Sequence, residues 1–211
     1  MHEVGADLCS CADHEYLVIA DYLSSFIDVD CLEKTTSGAV IRALKEQFSR
    51  HGIPNELITD NGPQLVSKAF EEFTQNWEFT HTTSSPVYLK SNGKAESAVK
   101  VVKTLMKKAA DSKMDLWLEL LEYRNTPTEG VQLSPAQRLY NRRTRTLLPA
   151  KDTTLHPKMV EGAAKALVAR QEKQVERYNR RAKDLPALEL GEVVRVQPLT
   201  GKSNHHNGNR R

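Results

Sequence analysis

Residues Ile58–Phe70 read ITDNGPQLVSKAF. A short apolar run breaks off in an acid, Asp60, and Asn61-Gly62-Pro63 comes directly after it. That triplet is turn chemistry, so the run NELITD (55–60) reads as a strand that ends at its carboxylate. An acid there packs poorly, but it stands where open sheets gather their reactive groups, at strand ends and the adjoining loops. Its chemical meaning depends on whether other acids converge on it.

Working outward, VGADLCS (4–10), YLVIADY (16–22) and SFIDVDCLE (25–33) read as three strands, with a turn at ADHE (12–15). Tight joins make them an antiparallel meander. TTSGAVIRALKEQFSRHG (35–52) opens on Thr and Ser caps, carries Val40, Ile41, Leu44 and Phe48 at helical spacing, and closes at Gly52. A helical crossover into 55–60 predicts a parallel strand. SKAFEEFTQNW (67–77) is a short amphipathic helix and EFTHTTS (78–84) a fifth strand. The order βββ-α-β-α-β, then helices, predicts an α/β domain with one mixed sheet flanked by helices.

Residues 91–112 form a long helix that starts at Ser91 or Asn92. A second helix, 115–126, is stopped by Pro127. A third, 134–143, has Ser134 as cap and Pro135 in its first position. Residues 146–158 read as a linker and 159–182 as a charged helix. GEVVRVQPL (191–199) fits one strand, and the polar end (200–211) is expected to be disordered. This divides the chain into a core, 1–149, a basic helical extension with the start of a further module, 150–198, and a tail, 199–211.

The 211 residues carry a net charge of +3, unevenly spread. Residues 1–137 sum to −7, residues 138–183 to +9 and the remainder to +1. An acidic folded part followed by a basic arm points to a polyanion partner. No apolar run approaches the roughly 18 residues of a membrane span. The start, MHEVGADLCS, lacks the charged and apolar regions of a secretory signal, so action in the nucleus or cytoplasm is expected, away from membranes. Cys9, Cys11 and Cys31 give neither a disulfide framework nor a Cys-x-x-Cys zinc pair, and read as free thiols.

Two further acids fit the first. Asp7 lies inside an apolar strand, where a carboxylate is costly unless paired or metal-bound. Glu96 lies in the first turns of the long helix, where a side chain leans back over a sheet edge. Asp21 rivals Asp7, being flanked by apolar residues in the same way. Three clustered carboxylates repel one another, but suit hard divalent cations. Two such ions about 3.5–4 Å apart serve phosphoryl transfer.

Asp7, TDNGPQ at Asp60, and SNGKAE at Glu96, with 35 residues between the last two acids, resemble the D,D-35-E signature of retroviral and retrotransposon integrases. DYLSSFIDV and FSRHGIPNELITDNGPQ are similar to the catalytic cores of Ty3/Gypsy-type long-terminal-repeat elements. The likeness runs from about Val4 to about Pro149. It implies a ribonuclease-H-like fold and two Mg²⁺ or Mn²⁺ ions held by Asp7, Asp60 and Glu96. It also implies two reactions on DNA, 3′-end trimming by water and attack of the new 3′-hydroxyl on a target phosphodiester. On the family pattern the first acid is Asp7 rather than Asp21, and a dimer or higher oligomer is expected.

Lys100 and Lys103 come four and seven residues after Glu96, on one helical face. The resemblance implies that this face meets the DNA end, with Asn92 and Lys94 bordering it. An ordinary solvated lysine face is the plainer alternative. The chain departs from the family at Tyr88-Leu89-Lys90, where Tyr-Pro-Gln or Tyr-His-Pro-Gln is usual. No zinc-binding His-His-Cys-Cys module stands before Asp7, and LELGEVVRVQP (188–198) resembles only the opening of the small β-barrel that succeeds such cores. Two other functions therefore stand beside the enzyme: a catalytically silent, integrase-derived DNA-binding or scaffold protein, and a plain ribonuclease-H-type nuclease, which would need a fourth carboxylate.

Overall fold

The computed structural model describes residues 1–84, 92–128, 132–158, 167–169, 172–173 and 176. The chain divides into a compact unit, Met1–Lys173, and a second, Gln174–Arg211. All the elements named below belong to the first unit.

Strands β1 (Glu3–Cys11), β2 (His14–Asp21) and β3 (Ile27–Leu32) form the expected antiparallel meander. The β1–β2 turn is tighter than ADHE suggests. Cys11 pairs with His14, and only Ala12 and Asp13 lie between, both with positive φ, at 47° and 61°. Two left-handed residues match the right-handed twist of a hairpin, which lets both strands run to the turn.

Helix α1 (Ser37–His51) is next. Thr36 caps it by accepting from the Ala39 amide, and Gly52, at φ 88°, closes it. The chain then enters β4 (Glu56–Thr59), which pairs parallel to β1. After α2 (Lys68–Asn76), β5 (Thr80–Thr83) pairs parallel to β4. The strand order is β3-β2-β1-β4-β5, so the two strands that carry or precede Asp7 and Asp60 are central neighbours.

Alternation along β1 fixes the two layers. Val4 and Ala6 point into a core with Leu17, Leu44, Phe48, Leu57, Phe70 and Phe73, which brings α1 and α2 onto one face. Cys9 points the other way, into a core with Val18, Ala20, Val29, Ala98, Val102 and Met106. Helix α3 (Gly93–Ser112) supplies that second layer through Ala95, Ala98, Val102, Met106 and Ala109, spaced three to four residues apart with one face buried. Each fully buried Leu, Val or Phe contributes about 1.5–3 kcal/mol, so the paired cores hold the sheet between helices without help from disulfides.

Helix α4 (Leu116–Asn125) packs on α3, with Asp115 as cap. Lys108 Nζ donates to buried Glu119 Oε2 at 2.7 Å, which pins the pair. Pro127 stands just past the end of α4, with Thr126 in extended conformation as a residue before proline prefers. Helix α5 (Pro135–Tyr140) has a full capping box on Ser134 and Gln137. Within the expected linker 146–158 a short helix, α6 (Asp152–Leu155), is present. An isolated four-residue turn carries no apolar period, so composition alone reads as linker. The charged helix expected at 159–182 lies mostly outside the described residues. The strand at 191–199 and the polar tail lie wholly outside them.

Candidate active site

Asp7 stands in the middle of β1, on the face that α3 covers, and is half-buried. Burial pushes its carboxyl above the ordinary range. The Leu8 amide, donating to Oδ1 at 2.8 Å, works against that, as does the Lys103 ammonium; the charges of Asp60 and Glu96 add to the rise. Two of the three acids predicted from the sequence, and one of the lysines, therefore act on the third acid.

Asp60 lies one residue past β4, beside β1, and is exposed. Its Oδ1 accepts from the Gly62 amide at 3.1 Å, so the Asn-Gly-Pro turn folds back on the acid and orients it. Glu96 is the fourth residue of α3 and is partly buried. Among the described residues no three His, Cys, Asp or Glu side chains gather closely enough to hold a metal ion. The donor chemistry suits a hard cation, being all carboxylate oxygen. The spacing is open, and ligation would require the side chains to draw together.

Asp21 has a different role. It pairs with Val4, so its side chain lies on the face opposite Asp7. It is 2% exposed, and Oδ2 accepts from the Ser24 amide at 2.6 Å and the Ser24 hydroxyl at 2.5 Å. Those bonds fold the β2–β3 turn.

Lys100 and Lys103 are exposed on α3, one and two turns beyond Glu96. The field of Lys103 reaches Asp7 and also Cys9, whose thiol burial pushes up. Lys94 is directed elsewhere, its Nζ donating to Ser25 Oγ at 2.6 Å on the β2–β3 turn. Asn92 caps α3 without a side-chain bond, is 2% exposed, and has no hydrogen-bond partner for Oδ1 among the described residues. Of the four residues predicted to border DNA, Lys100 and Lys103 are thus exposed, Lys94 is partly buried and Asn92 is buried.

The residues that seat α3 escape the motif reading. Gly5, Tyr22 and Ala95 meet between β1 and the helix start. The signal that could have found them is a glycine inside a strand, which marks a bulge or a close backbone approach.

Residues 7–88 match the family model of the integrase core domain. An uncharacterized protein of Caenorhabditis elegans is 32% identical over 154 residues, 69% of this chain and 12% of that protein. The Gag-Pro-Pol polyprotein of human T-cell leukemia virus 2 is 35% identical over 91 residues, 43% of this chain and 6% of the polyprotein. The chain thus spans about an eighth or less of these relatives' length. Among solved structures, an intasome chain of simian T-cell lymphotropic virus superposes with a TM-score of 0.61 at 23% identity, over 71% of this chain and 58% of that one. The BIV integrase catalytic core superposes with 0.58 at 18% identity, over 66% and 94%. The HTLV-2 core, described in complex with magnesium and as a trimeric form, gives 0.53 at 23%, over 65% and 95%. The five-stranded mixed sheet with its flanking helices is the ribonuclease-H-like fold of these cores, and residues 7–88 form an integrase core domain.

Proposed function

We propose that this chain is the catalytic core of a DNA-integrating polynucleotidyl transferase, in which Asp7, Asp60 and Glu96 hold two divalent cations, Mg²⁺ or Mn²⁺. The observation that carries the reading is the placement of the acids: β1, which holds Asp7, pairs with β4, which runs out at Asp60, and α3, with Glu96 in its first turn, packs on β1. Such ions, when bound, activate an attacking oxygen and neutralise a leaving one.

The chain's own residues supply binding and orientation. Asp7 is held by the central strand, Asp60 by its own turn, and Glu96 by a helix clamped on the sheet. Lys100 and Lys103 present two cations to DNA phosphates beside the acids. Like the relatives described as an intasome and a trimeric core, the chain would work as an oligomer. DNA ends and target DNA are its partners, in the nucleus or the cytoplasm. Among the described residues no helix is long and apolar enough to cross a membrane. The FSRHGIPNELITDNGPQ run supports a Ty3/Gypsy-type origin.

The test is a branched-DNA strand-transfer assay with purified protein and Mn²⁺. Joined product that disappears in Asp60→Asn is the expected result. Salt-sensitive binding without turnover, unaffected by that substitution, contradicts it and fits a silent DNA-binding protein.

A further inference from the structure

We propose that Gly5 is a positioning residue for Glu96: its missing side chain is what lets the start of α3 settle on β1 closely enough for Glu96 to be drawn toward Asp7. The inference rests on the active-centre reading and deepens it.

Gly5 lies two residues before Asp7, on the same face of β1. A β-carbon placed on it would stand 3.2 Å from Ala95 Cβ, 3.4 Å from the Ala95 amide nitrogen and 3.2 Å from Tyr22 Cε2. Two of these approaches are tighter than side chains ordinarily tolerate, and the third is to helix backbone. Gly5 has no positive φ, in contrast to Gly52, so backbone conformation does not require glycine there. Glycine inside a strand weakens it. Space is the remaining reason for it.

The beneficiary is next in sequence. Ala95 is fully buried in this contact, and Glu96 comes directly after it. The field of Glu96 reaches Asp7 on one side of Gly5 and Tyr22 on the other. Tyr22 is itself tied to β1 through its amide, which donates to Glu3 O at 3.0 Å. Helix and turn thus close on the bare backbone of Gly5 from two sides. Lifting α3 by a few tenths of an ångström shifts Glu96 against Asp7, whereas Asp60, carried at the end of β4, stays in place. Glu96 has to be drawn toward Asp7 and Asp60 before the three acids can share a cation, so a helix start seated further from β1 weakens the site selectively.

The experiment uses the full chain and Mn²⁺ alone as probe. Free Mn²⁺ is counted by electron paramagnetic resonance, branched-DNA strand transfer is monitored in parallel, and DNA affinity is measured in EDTA. For Gly5→Ala we expect the half-saturating Mn²⁺ concentration to rise at least tenfold, with DNA affinity in EDTA changed less than twofold. Adding Ala95→Gly, which removes the methyl that the new β-carbon meets, restores Mn²⁺ binding to within threefold of the parent. A merely structural glycine would lower thermal stability without that metal-specific loss and rescue. Wild-type Mn²⁺ dependence in folded Gly5→Ala overturns the proposal, and so does a loss that Ala95→Gly fails to restore. If Gly5→Ala does not fold, Ala95→Ser, which adds one atom from the helix side, carries the same test: a rise of threefold or more supports the proposal and no change overturns it. A parent protein that neither binds Mn²⁺ nor joins DNA overturns the active-centre reading, and this inference with it.

Discussion

The Thr59 hydroxyl and the His81 ring nitrogen Nε2 meet at 2.8 Å across β4 and β5, one residue ahead of Asp60. Thr59 Oγ1 also donates to the Asp60 carbonyl at 2.8 Å, so the ring nitrogen that faces it is the donor of the pair. His81 packs on Phe70, with ring centroids 4.8 Å apart. The strand end that delivers Asp60 is therefore locked by a half-buried imidazole.

Burial holds the His81 pKa below its usual 6.5. The folded state then binds this proton less readily than the unfolded chain does. The stability contributed by neutral His81 is complete above the unfolded value and is lost as pH falls below it, through the lower folded value. His81→Gln, which keeps a donor, should reduce the drop in Tm between pH 7 and pH 5. An equal drop in parent and variant would contradict this.

Asp7 has the opposite sign. Its folded pKa is raised above 3.8, chiefly by burial, so its ionised form opposes folding. The penalty is absent at strongly acid pH and complete at neutral pH. Asp7→Asn should therefore raise Tm without divalent ions at pH 7, by no more than about 3 °C given partial solvent screening. The gain should shrink as the pH is lowered. A fall in Tm at pH 7 would show that ionised Asp7 does not oppose folding.

Lys103 supplies the local counter-charge. Lys103→Ala should weaken DNA binding without regard to sequence and reduce the slope of log affinity against log salt by about one. Fluorescence anisotropy across a salt series measures this. An unchanged slope would place the DNA on another face.

Elsewhere in the fold, Arg124 Nη2 donates to Asp28 Oδ1 at 2.5 Å and Nε donates to Ile27 O at 2.9 Å, with the guanidinium over Phe26. His51 Nε2 lies 2.9 Å from the other Asp28 oxygen, an ion-pair separation that is not aligned as a hydrogen bond. Arg124→Met strands a buried carboxylate and should cost about 3 kcal/mol in denaturant unfolding. Adding Asp28→Asn should recover part of that loss. A cost near zero would mean that Asp28 is satisfied by His51 alone.

Much of this architecture is written in local pattern. Apolar alternation marks β1 to β3, and helical spacing with Thr36, Asp115 and Ser134 as caps marks the helices. The places of Asp60 past a strand end and of Glu96 in a first helical turn are legible because turn residues and a helix start surround them. The course of Lys94 to the β2–β3 turn is not, since its partner Ser25 is 69 residues away and lies on a turn set by Asp21. The seat of α3 is half legible: Gly5 announces a close approach, but only the fold shows that Ala95 and Tyr22 fill it.

The most direct measurement is a crystal structure of the protein grown with millimolar Mn²⁺, read by anomalous scattering. Shared ligation by the three acids predicts manganese peaks bracketed by Asp7, Asp60 and Glu96, with Glu96 drawn toward Asp7, and their loss in Asp60→Asn. Manganese absent from that position, or bound there without these three side chains, would contradict it.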